Sequence, residues 1–323
     1  MKKILLYGML LSLLGTTACN RDNVEEVKFN VSIDKGLTCQ AGQPVTFHLD
    51  GNAEYITFYS GEPGNNYANI QRTEANISSM QLACTIKQQY TDLEYRNEEM
   101  VHAFISKDFS GTYTSEEIQK AHWVKISGRE ANANLLAVPL TINQTSEEVS
   151  SSIDLSAYKK EPFYLAFQYY ADTRTDVPKA DGNGRYVSQP RIDIKPLKLS
   201  KTTAEGIQII WDNPMTEFAF RTVYENSAQQ GNYQIDDISL LFQPLKDKEH
   251  TDDVVSVWMI SRINPKEVEP DRGTAIKATD AYLSTYSHTY KKAGTYTATF
   301  IATNANLWDS EQIIKEVTVT VTE

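Results

Sequence analysis

The sequence predicts an all-β protein, and three observations carry that prediction. Apolar and polar residues alternate along several short runs, turn-forming clusters separate those runs, and no stretch sustains the 3.6-residue period of an amphipathic helix. A period of two marks a strand because successive side chains leave opposite faces of the pleat. Val45, Phe47 and Leu49 fall on one face, with Thr46, His48 and Asp50 on the other. Tyr55 to Ser60 continues as a strand and stops at the turn Gly61, Glu62, Pro63, Gly64. Phe163, Leu165, Phe167 and Tyr169 share a face opposite Gln168 and Tyr170. Tyr296, Ala298, Phe300 and Ala302 alternate with Thr295, Thr297, Thr299 and Ile301, and threonines space Val317, Val319 and Val321. The helical signal is confined to a capping box, Thr114 with Glu117, ahead of Ile118, Ala121 and His122. Strands this short and numerous fit β-sandwiches.

Length and charge bound the rest. The 323 residues are long for one domain and comfortable for two, and the formal net charge is −11. A dispersed acidic balance argues against nucleic acid, whose phosphates need a basic face, and against docking on anionic headgroups. The eighteen tyrosines outnumber the fifteen glycines; tyrosine suits both strands and binding faces, so the ratio alone separates neither.

The N-terminus reads as an export signal: Lys2 and Lys3 form a basic head, and Ile4 to Leu14 an apolar core. That core is too short to span a bilayer as a mature helix. It ends in Gly15, Thr16, Thr17, Ala18, Cys19, which resembles the lipobox of bacterial lipoproteins, with Thr16 where leucine is usual. The resemblance implies cleavage after residue 18, a lipid on Cys19, and a polar tether over residues 19–27. The lipid is then the expected membrane attachment. Cys39 and Cys84 remain, in an oxidising compartment; they are candidates for a disulfide, the alternative being two unconnected buried thiols.

Several segments are similar to known extracellular modules. YITFYSGEPG (Tyr55 to Gly64) and HTYKKAGTYTATFIATN (His288 to Asn304) resemble the strands and turns of PKD domains, which are immunoglobulin-like sandwiches. Between them FISKDFSG (Phe104 to Gly111), AHWVKIS (Ala121 to Ser127), IDLSAYKKEPFYLAFQYY (Ile153 to Tyr170) and NYQIDDISLLF (Asn232 to Phe242) resemble, in order, the choice-of-anchor jelly roll, a relative of galactose-binding-like and MAM sandwiches. The departure is a long insertion, Ala171 to Ser227, with the loop Asp181 to Arg185. These resemblances imply a PKD-like segment over residues 28–97, a jelly roll over 98–245, and a second PKD-like segment over 250–323. The two PKD-like segments either pair into one sandwich built from both chain ends or stand as two small ones; insertion into a surface loop makes the first arrangement feasible. Together the motifs resemble a Bacteroidetes-type surface lipoprotein family of unknown function. Such proteins accompany outer-membrane polysaccharide-uptake complexes.

Catalytic motifs do not emerge. The sequence contains no G-x-S-x-G elbow, H-E-x-x-H, P-loop or dinucleotide fingerprint. His48, His102, His122, His250 and His288 are scattered, and Ser106, Asp108 and Gly111 approach a sialidase-type aspartate box without matching it, so they read as structural. Acidic neighbours such as Asp236 and Asp237 point to opposite faces of a strand, whereas a glycosidase needs two carboxyls facing across a cleft. That pair is instead a candidate for a structural calcium, on the pattern of sandwich lectins. Aromatic rings suit the flat C–H faces of sugars. Trp211, beside Asp212 and Asn213, and Trp308, between Asn306 and Asp309, are the leading glycan-binding candidates; Tyr59, Tyr67 and Tyr186 follow. Trp123 reads as core packing.

The expectation is a non-catalytic lipoprotein of the outer membrane, facing the cell surface, that binds a polysaccharide or oligosaccharide for an uptake complex. A structural or adhesive protein-contact module of the envelope is the alternative, because the same sandwiches serve either role.

Overall fold

The computed structural model describes residues 23–34, 39–129, 134–140, 146–174, 187–225, 231–244, 254–279 and 281–323. In chain order the strands are β1 (Phe29–Ile33), β2 (Cys39–Gln40), β3 (Pro44–Gly51) and β4 (Tyr55–Tyr59), then β5 (Ile77–Gln89) and β6 (Val101–Ser106). After helix α1 (Ser115–Lys120) come β7 (Val124–Lys125), β8 (Ser127–Gly128), β9 (Leu136–Ala137), β10 (Ser146–Asp154), β11 (Phe163–Asp172) and β12 (Arg191–Thr203). They continue with β13 (Gln208–Trp211), β14 (Arg221–Tyr224), β15 (Gly231–Ile235), β16 (Leu240–Pro244) and β17 (Val254–Ile263). The chain ends with β18 (Thr274–Lys277), β19 (Thr285–Thr289), β20 (Gly294–Ala305) and β21 (Ser310–Thr322). The protein is all-β, and its sheets pack as sandwiches.

Two compact units divide the chain. The first takes residues 1–72 and 270–323, and the second residues 73–269. These limits differ from the expected 28–97, 98–245 and 250–323. β5 and β17 are the reason: β5 lies beside β10 and β12, and β17 beside β11 and β14, so both belong to the second unit.

The first unit lays a sheet ordered β1-β3-β19 against one ordered β18-β4-β20-β21-β2. The alternation fixes what each strand buries: Val45, Phe47 and Leu49 point inward from β3 and meet Ile56 and Phe58 of β4, Ala298, Phe300 and Ala302 of β20, and Val319 of β21. Phe300 is the hub, with ring centroids 5.1 Å from Phe47 and 5.0 Å from Phe58. Each such ring removed from water contributes about 2–3 kcal/mol.

One end of this sandwich gathers four chain segments. β1 enters opposite the end of β3, Phe29 against Gly51. The 52–54 loop joins β3 to β4, and Lys277 at the end of β18 pairs Ile56 near the start of β4. Leu49 N donates to Ser284 O ahead of β19, and the β20–β21 hairpin turns between Ala305 and Ser310. Gly51 has φ +135°, and a β-carbon there would fall 1.8 Å from Lys28 O, so only glycine lets the entering chain lie this close. Asn52 and Asn304 then hold it: Asn52 donates to Glu25 Oε1 and Glu26 O (3.0 and 2.9 Å), and Asn304 to Glu25 O (3.0 Å).

The second unit opposes a sheet ordered β10-β5-β12-β16-β15, with β13 also on β12, to one ordered β14-β17-β11-β6-β7. Leu82, Ile86, Ile192, Leu199 and Phe242 from the first meet Ile105, Phe163, Phe167, Val257 and Met259 from the second. β11 buries both faces, Ala166 and Gln168 as well as Leu165 and Phe167. The alternation of β11 predicts one wet face, but α1 and the loop before it cover that face with an aromatic cluster. Phe104 stacks on Trp258 at 5.2 Å, and Trp123 packs 5.1 Å from Trp258 and 5.5 Å from Phe109. Half of the capping box forms: Thr114 Oγ1 accepts from Glu117 N, while Thr114 N donates to Thr112 O and the Glu117 carboxylate accepts from Lys120 Nζ. The ends of this unit lie side by side: Val268 N donates to Thr73 O (3.1 Å) and Ala75 N to Lys266 O (2.9 Å).

Candidate functional site

The second unit carries a cleft of about 370 Å³ lined by Ile105, Lys107, Asp108, His122, Val124, Ala157 and Tyr158. Topology creates it. β7 is the edge of one sheet and β10 the edge of the other among the described residues, and β6 pairs β11 so that Ser106 lies opposite Tyr164. Lys107 and Asp108 leave the end of β6, His122 and Val124 lead into β7, and Ala157 and Tyr158 belong to the 3-10 turn Ser156–Tyr158 after β10.

Local hydrogen bonds pre-organise the polar side. Buried Ser106 donates through Oγ to Asp108 Oδ1 at 2.8 Å and accepts from Phe109 N at 3.0 Å. His122 N also donates to Asp108 Oδ1, at 2.9 Å. The bond from Ser106 and then that from His122 hold the Asp108 carboxyl below its ordinary range, so it is an anion at neutral pH. Lys107 Nζ sits 5.2 Å from the centroid of the Tyr158 ring, and Val124 is 43 % exposed. The cleft thus offers an aromatic ring, a fixed carboxylate, an ammonium and an imidazole around an apolar floor.

The sequence-derived candidates distribute differently. Trp211 lies on β13 rather than in a loop, half-buried against Phe218, with Lys201 Nζ 4.2 Å from its ring centroid. One side of that ring is therefore occupied. Lys201 itself is fully buried and donates to Glu267 O at 2.8 Å. Desolvation brings its pKa down to about 8, against the charges of Glu267 and Glu217, which favour the ammonium. Trp308 is 73 % exposed on the β20–β21 turn, which Asn306 Oδ1 fixes by accepting from Trp308 N and Asp309 N at 2.8 Å. Tyr59 is buried and meets half-buried Tyr67 edge-on at 5.4 Å, so this pair is a packing contact in the first unit. Tyr186 and the loop Asp181 to Arg185 lie outside the described residues, as does Cys19.

The disulfide candidate is corrected, and the Asp236–Asp237 pair is placed in its loops. Cys39 and Cys84 are free buried thiols in different units, Cys39 in the core of the first and Cys84 in that of the second, so they form no disulfide. The strand alternation that turns each inward also sends them into separate cores. Asp236 is a turn cap: Oδ1 accepts from Ile238 N and Ser239 N (2.9 and 2.6 Å) and Oδ2 from Ser239 Oγ (2.9 Å). Partial burial opposes its charge, but these bonds outweigh it and lower the pKa. Asp237 instead accepts from Asn213 Nδ2 at 3.1 Å. The two carboxylates serve different loops, and no group of three or more potential metal ligands gathers among the described residues.

Comparison with known proteins adds one match. The model of a domain of unknown function, DUF5017, covers residues 18–219, well over half the chain. The chain belongs to the DUF5017 family. The matched span takes in the opening strands of the first unit and the second unit as far as the segment between β13 and β14, including every residue that lines the cleft. No curated protein and no solved structure matches the chain.

The cleft residues escaped the sequence reading. Ser106, Asp108 and His122 were visible there only as structural polar groups. Tyr158 and Val124 fall within the jelly-roll-like segments but carry no ligand signal there, and the pairing of β6 with β11 brings them together.

Proposed function

We propose that this chain is a non-catalytic lipoprotein of the outer membrane, anchored through Cys19, that holds a saccharide in the Asp108–His122–Tyr158 cleft for a polysaccharide-uptake complex. The observation that carries the reading is the make-up of the cleft. An aromatic ring beside a fixed carboxylate, an ammonium and an imidazole matches the C–H faces and hydroxyls of a sugar ring. The flexible Lys107 stem can yield the Tyr158 ring to a sugar while its ammonium turns to a hydroxyl. A volume of about 370 Å³ suits one or two sugar units rather than a large rigid cofactor. A binding role is favoured over hydrolysis because Asp108 is the one carboxylate among the lining residues, and glycoside hydrolysis uses two.

The test is calorimetry of the protein against a panel of polysaccharides and their oligosaccharides. Binding that Tyr158→Ala and Asp108→Asn each weaken about tenfold or more, with Trp211→Phe unaffected, supports the reading. Binding that neither cleft variant alters places the site elsewhere. Silence across the panel moves the weight to a protein-contact role, for which a pull-down from outer membranes is the next step.

A further inference from the structure

The three most exposed large apolar side chains of the described residues all lie in the first unit: Tyr282 at 92 %, Leu307 at 85 % and Trp308 at 73 %. Leu307 and Trp308 form the tip of the β20–β21 hairpin, and Tyr282 stands in the β18–β19 loop. Strand register puts both at the end where the chain enters β1, since Lys277 pairs Ile56, Thr303 pairs Tyr55, and Phe29 pairs Gly51. The tip is rigid, because the hairpin is paired as far as Ala305 and Ser310 and Asn306 locks the turn. Tyr282 also lines a depression of about 320 Å³ whose walls mix Phe29, Leu49 and Ile56 with Asp50, Asn52 and Lys277, so the apolar contact rests on the three exposed side chains and not on this depression.

We propose that this end of the sandwich is a membrane-contact face, with Trp308, Leu307 and Tyr282 seated at the headgroup boundary of the bilayer that holds the lipid on Cys19. The proposal rests on the lipid-anchor reading given above. Two observations commit it to a bilayer rather than another occupant. The first is reach. Glu25 and Glu26 are pinned to Asn52 and Asn304 at this same end. Six residue steps separate Cys19 from Glu25; fully extended they span at most about 20 Å. A lipid on Cys19 therefore keeps this end close to the surface. The second is residue type. Trp and Tyr favour the interface, where the ring is partly buried and its polar edge stays wet, and Leu adds apolar area. Glu25, Glu26, Glu54, Asp309 and Glu311 share this end, so the attraction is apolar rather than electrostatic, and zwitterionic lipid is the preferred surface.

The experiment reconstitutes the full lipidated chain into phosphatidylcholine vesicles with and without brominated acyl chains, beside its Trp308→Phe variant. Mass spectrometry of the purified chain first establishes whether Cys19 carries lipid. The fluorescence difference between the two proteins isolates Trp308. We expect that difference to shift to the blue in vesicles and to be roughly halved by the brominated lipid, with little dependence on salt. An unquenched Trp308 on a chain that carries its lipid overturns the membrane face and leaves the anchor standing. A chain without lipid on Cys19 overturns the anchor and this proposal together. Shielding of Trp308 that needs no vesicles and grows with protein concentration overturns it in favour of a second copy of the chain.

Discussion

Lys201 gives the sharpest test of the packing. Its side chain is fully buried in β12 between Glu267 O and the Trp211 ring, and burial brings the pKa from 10.5 to about 8. Below pH 8 both the folded and unfolded chains carry the proton, so this group gives stability no slope with pH. Between 8 and 10.5 the unfolded chain still binds a proton that the folded chain has released, and stability rises with pH by about 1.4 kcal/mol per unit. The full gain is about 3 kcal/mol, which is the cost the folded state bears at neutral pH for keeping an ammonium out of water. Lys201→Met removes that cost and leaves Glu267 O without this donor, two effects of similar size. The variant should therefore match the wild type within about 1 kcal/mol at pH 7 and fall behind it by about 2–3 kcal/mol near pH 10. Urea unfolding of both proteins from pH 7 to 10 measures the difference. It cancels half-buried Tyr233 and buried Tyr290, whose raised pKa values oppose folding as the pH climbs past the ordinary phenol range. A wild-type minus variant difference that stays flat from pH 7 to 10 would refute the claim that the Lys201 ammonium is dehydrated.

The other predictions concern single positions. Phe300→Ala deletes the ring shared by Phe47 and Phe58 and should cost about 3–5 kcal/mol in chemical denaturation; a loss below about 1 kcal/mol would contradict the assigned core. Asp271, whose side chain is 2 % exposed, accepts from Asn66 N, Asn69 Nδ2 and Arg72 Nη2. Asp271→Ala should cost about 3–5 kcal/mol, and the loss should hold in high salt because the pair is screened little. In the native protein Cys84, whose thiol burial pushes up to about 12, should resist iodoacetamide, while urea without reductant should release two alkylatable thiols at residues 39 and 84. A mass two protons lighter before reduction would restore the disulfide. Gly51→Ala meets Lys28 O at an impossible distance and should loosen the entering strand, read as faster proteolysis around residues 23–28.

Much of the architecture follows from local pattern, since Val45, Phe47 and Leu49, or Phe163 to Tyr169, need only a period of two to declare their faces. What pattern does not contain is allegiance. β5 alternates as cleanly as β3, and nothing in Ile77–Gln89 says whether it joins the early strands or β10 and β12, so the expected boundary fell about twenty-five residues late. Polar neighbours misled in the same way at Trp211, where Asp212 and Asn213 mark the end of β13 rather than a loop around the ring. At Trp308 the same signal does coincide with a turn, because Asn306 and Asp309 close it themselves. The cleft was the least legible feature: its chemistry is assembled from residues 105–108, 122–124 and 157–158, which meet because β6 pairs β11 and Tyr158 packs on Phe163 at the start of β11.

The way the second unit begins and ends has a consequence for the order of events during folding. Phe58 and Phe300 are register partners some 240 residues apart, and the first unit cannot close until the last strands have been made. Thr73 and Glu269 bracket the insert, whose bonds at Thr73–Val268 and Ala75–Lys266 bring its two ends together. Once the insert has folded, the gap that Phe300 must search shrinks to about 45 effective residues, a saving of about 1.5 kcal/mol in loop-closure entropy. The middle of the chain therefore splints its two ends. β1 and β3 can pair at once, but β4 waits, without β18 and β20 and prone to wrong partners, for late arrivals whose approach the insert has already prepared.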